Sequence, residues 1–115
     1  MEKYLRVMAD YSSTGLWNID RVNIDVENLG LSESTVKAFN DWCMEYERND
    51  DYLPEEFRSD PQFDLMDFSL KGLELAMLIK SELGEDWKVV YFDEWKMLSL
   101  LDARCGRRDE YEYEV

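Results

Sequence analysis

The sequence contains no histidine, and this absence excludes several classes of enzyme. Catalysis by a serine or cysteine that an imidazole activates needs histidine, and most zinc sites use it as a ligand. The two cysteines, Cys43 and Cys105, are 62 positions apart and form no CxxC motif. We therefore expect free thiols rather than a disulfide framework or a redox centre, and we expect no cofactor.

Long apolar runs and a leader segment are also missing. The N-terminal stretch MEKYLRVMAD has no basic region followed by an apolar core of the kind that directs export. No run approaches the ~18 apolar residues that a membrane span requires. The sequence therefore predicts a soluble, cytoplasmic protein without a membrane partner.

Positive charge is scarce. The chain has 13 lysine and arginine residues against 27 aspartate and glutamate residues, a net charge of −14 and a pI near 4.2. Direct binding to the backbone of a nucleic acid is therefore disfavoured. Residues 32–61 hold three basic and nine acidic side chains, and two tyrosines, Tyr46 and Tyr52, lie among these acids. This pattern fits either a solvated surface or an interface for a basic protein.

The remaining composition is that of a folded domain. Hydrophobic residues make up 45% of the 115 positions and aromatic residues 14%, with only 5 glycines and 2 prolines. This is enough apolar material for one core and too short a chain for two, so we expect residues 1–115 to form a single globular domain.

Four segments have the patterns of β-strands. Residues 4–9 and Lys88–Phe92 are short apolar runs that each stop at an acid, which is typical of buried strands. Residues 22–27 and 110–115 alternate apolar and polar side chains, which predicts a half-buried strand and an edge strand. The stretch DYSSTGLWN between the first two segments has the composition of a loop.

Two longer segments have helical spacing. Ser32 is a suitable cap for a first helix that extends to residue 50, and Pro54 and Pro61 lie in the linker that follows. A second helix over 64–83 ends before Gly84. Two adjoining apolar rows on this helix predict deep burial; they are Leu70, Leu73 and Met77, and Phe68, Leu75 and Ile79. A short helix is expected over 97–103. The expected fold is an α/β (α+β) sandwich in which two long helices pack on a three- to four-stranded sheet.

Aspartates follow the two apolar strands. If these strands are parallel neighbours, Asp10 and Asp93 emerge at the same edge of the sheet, where α/β proteins place their sites. Trp17 and Trp95 lie beside them in the sequence. The aspartates have three possible roles: they simply end strands, they form a partner-binding edge, or they hold Mg²⁺ for catalysis. No third metal ligand is visible in the sequence.

Three blocks of the sequence resemble a known group of proteins. LRVMADYSSTGLW, DWCMEYERNDDYLP and DWKVVYFDE, which together span residues 5 to about 95, resemble the small acidic immunity proteins of bacterial contact-dependent growth inhibition and related polymorphic toxin systems. The resemblance implies a protein without enzymatic activity that binds and neutralises the toxic C-terminal domain of a sibling cell's effector. Such toxins are commonly nucleases that act in the cytoplasm.

The acidic composition agrees with what the resemblance implies. A nuclease needs a basic cleft for phosphates, and carboxylates and aromatic rings inserted there would replace phosphates and bases. We expect two binding patches, one of Asp10, Trp17, Asp93, Glu94 and Trp95 and another of Asp50, Asp51 and Tyr52. The alternatives are an acidic adaptor or DNA mimic that binds several basic proteins and, behind it, a metal-dependent enzyme that uses Asp10 and Asp93.

Overall fold

A computed structural model describes residues 3–10, 13–47, 65–102 and 108–115. The elements in chain order are strand β1 (Tyr4–Val7), strand β2 (Leu16–Trp17), a 3-10 turn (Val26–Leu29), helix α1 (Glu33–Glu47), helix α2 (Leu65–Leu83), strand β3 (Lys88–Phe92), helix α3 (Glu94–Asp102), the single helical turn α4 (Arg108–Tyr111) and strand β4 (Glu112–Glu114). The predicted α+β fold with two long helices and a four-stranded sheet is confirmed.

The sheet has the strand order β2-β1-β3-β4. Its two central strands, β1 and β3, are parallel, with Leu5 opposite Val89 and Val7 opposite Tyr91. The flanking strands β2 and β4 are antiparallel to them. The apolar runs are central because a strand with neighbours on both sides has its backbone hydrogen bonds satisfied away from water. The glutamates of β4 suit the edge position predicted for the C-terminal segment.

The core lies between the central strands and the helices. Leu5, Val7, Val89 and Tyr91 are essentially inaccessible to water, and they belong to one apolar cluster with residues of α1 and α2. Trp42 of α1 stacks on a phenylalanine of α2 with ring centroids 4.6 Å apart. Burying aromatic rings of this size contributes much of the free energy that holds the helices on the sheet.

The start of α1 and the end of α2 are fixed as predicted, while the predicted end of α1 at residue 50 lies outside the described residues. The Ser32 hydroxyl accepts a hydrogen bond from the Thr35 amide at 3.3 Å and thereby caps α1. The Glu82 carboxylate of α2 accepts bonds from the Ser32 amide at 2.7 Å and from the Thr35 hydroxyl. These bonds, the Ser32 amide first, lower the pKa of Glu82. At the other end of α2, Gly84 has a φ of +95°, a conformation that glycine adopts without strain.

The strand predicted over 22–27 is wrong. Only Asn23 forms a bridge, to Trp17 of β2, and the chain then turns into the 3-10 helix that begins at Val26. The Asn18 side chain accepts bonds from the Asp20 and Val22 amides at 2.8 and 3.0 Å and so makes a tight turn before this segment. Conversely, the predicted loop contains β2, because Leu16 is drawn into the core beside β1.

The predicted deep burial of both apolar rows on α2 is also wrong. Phe68 and Ile79 are buried, but Leu70 and Met77 remain 55% and 57% exposed. Phe68 and Ile79 pack into the core cluster, whereas Leu70 and Met77 lie on the opposite face of α2. Even with these apolar side chains, no helix in the described ranges is long and apolar enough to cross a membrane.

Candidate functional site

The parallel pairing of β1 and β3 brings the residues after both strands to the same edge of the sheet. Ala9 and Glu94 line one small cavity there, together with the rings of Trp42 and Tyr91. The two strands are therefore parallel neighbours, as the prediction of a shared edge for Asp10 and Asp93 required. We call the residues predicted at this edge the carboxyl-end patch: Asp10, Trp17, Asp93, Glu94 and Trp95.

Glu94 is the most perturbed acid of the carboxyl-end patch. Its carboxylate is half-buried and accepts a hydrogen bond from the Tyr46 hydroxyl of α1 at 3.0 Å. Burial raises the pKa of Glu94, and the nearby charge of Asp10 raises it further, while the bond from Tyr46 acts in the opposite direction. The carboxylates of Asp10 and Glu94 therefore interact at this edge.

Asp93, unlike Glu94, is fully engaged in hydrogen bonds that hold the fold. One of its carboxylate oxygens caps α3 by accepting the Lys96 amide at 3.1 Å, and the other accepts the Tyr113 hydroxyl at 3.1 Å. Burial, and then the charge of Asp93, raise the pKa of Tyr113 to about 12. Asp93 ends its strand and starts a helix, which fixes the position of Glu94 directly after it.

The two tryptophans of the patch differ in exposure. Trp17 is half-buried on β2, and its indole nitrogen donates to the Met8 carbonyl at 2.9 Å. Trp95 is 42% exposed in the first turn of α3, and its amide donates to the Ser69 hydroxyl of α2 at 3.3 Å. Trp95 is therefore a partly exposed aromatic side chain on a fixed backbone position.

The described residues provide no ligand set for the alternative function, a metal-dependent enzyme. Within the described ranges, no three side chains of the histidine, cysteine, aspartate or glutamate types lie together so that they could hold a metal ion. A divalent cation such as Mg²⁺ takes six oxygen ligands, and both oxygens of Asp93 already accept hydrogen bonds from the chain. Carboxylates beside an exposed indole instead suit the basic side chains of another protein.

Several contacts at this edge join residues that are distant in the sequence. Tyr46 and Glu94 are 48 positions apart, and Asp93 and Tyr113 are 20 apart. In the sequence, Tyr46 stands out only as an aromatic residue among the acids of residues 32–61, because the sequence pattern gives no sign of the group that its hydroxyl meets. The second predicted patch, Asp50, Asp51 and Tyr52, lies outside the described residues together with the linker over 49–63.

Comparison with known protein families gives a match over most of the chain. Residues 3–94 match the model of the family described as Serratia CdiI immunity protein-like. The matched range includes β1, both long helices and β3, and it ends at Glu94, before Trp95. No curated protein matches the chain.

Proposed function

Because the chain belongs to the Serratia CdiI immunity protein-like family, and is thus an immunity protein against a toxin of contact-dependent growth inhibition, we propose that it neutralises this toxin by binding through the carboxyl-end patch. We further propose that the toxin is a nuclease with a basic cleft and that the two proteins meet in the cytoplasm. One observation supports the proposal: the parallel pairing of β1 and β3 brings the exposed Asp10 close enough to the half-buried Glu94 for its charge to raise the pKa of Glu94.

The charge of the chain supports a nuclease as the toxin. A nuclease binds phosphates with lysine and arginine side chains, so its cleft attracts a protein that carries a net charge of −14. Carboxylates form strong charge-assisted hydrogen bonds with arginine and take the place of phosphate groups. An exposed indole such as that of Trp95 provides the flat surface on which an arginine or an aromatic side chain stacks.

The pair of Asp10 and Glu94 has a physical reason to receive a cation. Burial and mutual repulsion both penalise the charged form of Glu94. An arginine of the toxin placed between the two carboxylates would remove the repulsion and supply hydrogen-bond donors to a partly desolvated acid.

A growth assay tests the proposal directly. Bacteria that express the cognate toxin domain should survive only when this chain is co-expressed. Asp10→Lys should weaken binding of the purified toxin domain and reduce protection, since it reverses charge beside Glu94. Asp20→Lys is the matched control, because Asp20 is also exposed but lies in the turn at the opposite end of β1. Equal toxin affinity of the wild-type and Asp10→Lys proteins would remove this edge from the interface.

The second patch is tested separately. Alanine at both Asp50 and Asp51 should slow association with the toxin domain and reduce its dependence on salt, because charges outside the centre of an interface act mainly on the association rate. An unchanged association rate at low salt would exclude Asp50, Asp51 and Tyr52 as a steering surface.

The nature of the toxin is tested with purified proteins. The toxin domain should degrade DNA or RNA, and an equimolar amount of this chain should stop the degradation. A toxin domain that arrests growth without cleaving either nucleic acid would refute the nuclease while leaving the role as an immunity protein intact.

A further inference from the structure

A groove of about 390 Å³ lies between α1 and α2, and it shares Trp42 with the small cavity beside Glu94. Its apolar part is formed by Trp42 of α1 and by Leu75 and Leu78 of α2. Trp42 itself is almost fully buried, whereas Leu78 is 43% exposed. The groove therefore presents an apolar floor to solvent at the line where the two helices meet.

Acidic side chains form both rims of the groove. Asp41 and Glu45 lie on the α1 side, and Glu74 lies on the α2 side together with Lys71. Lys71 forms an ion pair with Asp67 one turn away, at 3.2 Å, and Asp41 forms one with Lys37 at 2.7 Å. Over their whole lengths, α1 and α2 carry three basic and seven acidic side chains. The field around the apolar floor is therefore negative.

The dimensions of the groove suit a helix. Its lining spans residues 38–45 of α1 and residues 71–78 of α2, which is two turns of each helix. Two turns correspond to ~10 Å at a rise of 1.5 Å per residue. Apolar side chains one turn apart on a partner helix would fit this length, as when an amphipathic helix docks into a groove.

We propose that this groove is a second contact with the toxin, and that it receives a cationic amphipathic helix of the toxin domain. Apolar side chains of that helix lie on Leu75 and Leu78, and its lysines or arginines face Asp41, Glu45 and Glu74. A second copy of this chain is a poor occupant, because each copy carries a net charge of −14 and the copies repel each other. The inference rests on the proposed function, since it names a further surface for the same partner.

The test compares two arginine substitutions that are neighbours in the sequence. Leu78→Arg brings a positive charge into the groove, whereas Met77→Arg makes the same kind of change on an exposed side chain that does not line it. In calorimetric titrations with the cognate toxin domain, Leu78→Arg should raise the Kd about tenfold or more, as loss of a central contact does. Met77→Arg should change the Kd by less than about twofold.

A charge variant covers the case in which Leu78→Arg fails to fold. Glu74→Lys alters only an exposed rim side chain, and Glu85→Lys in the turn after α2 is its control. Glu74→Lys should slow association several-fold and weaken its salt dependence, while Glu85→Lys should have less effect. Equal association rates for the two variants would overturn the proposal.

The outcomes separate this inference from the proposed function. If the wild-type chain neither protects cells nor binds the toxin domain, the proposed function fails. If the wild-type chain binds and folded Leu78→Arg binds equally well, only the groove is wrong. Equal losses for Leu78→Arg and Met77→Arg would assign the contact to the whole outer face of α2 and overturn the groove. So would a wild-type dimer in sedimentation experiments that Leu78→Arg converts to a monomer.

Discussion

Gly72, in the middle of α2, gives the sharpest test of the packing. Alanine is better than glycine inside a helix by about 1 kcal/mol, so helix propensity alone predicts that Gly72→Ala is stabilising. The side chains packed around Gly72 predict instead that Gly72→Ala is destabilising. A Cβ at this position would lie 2.4 Å from Cζ2 of Trp42 and 2.4 Å from the Tyr91 hydroxyl oxygen.

The expected loss of stability follows from the hydrogen bonds that hold these two rings in place. Each is tied to the backbone of α2, Trp42 through the Phe68 carbonyl at 2.9 Å and Tyr91 through the Ser69 carbonyl at 2.7 Å. Forcing an extra carbon into a packed core costs about 1–3 kcal/mol, and each disturbed hydrogen bond costs about 0.5–1.5 kcal/mol. After the gain in helix propensity, Gly72→Ala should lower the free energy of unfolding by about 1–5 kcal/mol.

Urea unfolding followed by circular dichroism measures this loss. A double-mutant cycle with Trp42→Phe identifies its origin, because phenylalanine lacks the part of the indole that the new Cβ meets. In that background the cost of Gly72→Ala should fall by about 1 kcal/mol or more. A neutral or stabilising Gly72→Ala would refute the close packing of α1, α2 and β3, and with it the floor of the groove.

Two further predictions concern titrating groups. The raised pKa of Glu94 means that the folded protein holds more protons than the unfolded chain from about pH 4.5 upward to the raised value, so stability falls as the pH rises through that window. Glu94→Gln should remove this fall, so the variant should be more stable than the wild type at pH 7 but not at pH 4. Urea unfolding at both pH values measures the difference in free energy of unfolding, and the same difference at both would contradict the prediction. Burial, and then the charge of Glu47, raise the pKa of the Cys43 thiol to about 12 from 9.0. In a Cys105→Ser variant at pH 8, Cys43 should therefore react with iodoacetamide about a thousandfold more slowly when folded than in urea, and rates within tenfold would refute its burial.

Part of this fold is determined by local sequence patterns. The apolar runs of β1 and β3, the cap at Ser32 and the glycine after α2 each act within a few residues, and all were predicted from spacing and composition. The resemblance to immunity proteins was likewise visible in the sequence and agrees with the family match over residues 3–94. These features can be predicted because backbone preferences, capping bonds and the need to bury apolar faces depend little on distant parts of the chain.

The tertiary structure decided the rest. Asp10 and Asp93 share an edge only because β1 and β3 are parallel neighbours. The pKa of Glu94 is raised because the fold buries its carboxylate and brings the charge of Asp10 near it. The exposed row of α2 shows the same limit. Helical spacing reveals that a face is apolar, but whether another element covers it depends on how segments far apart in the sequence pack together.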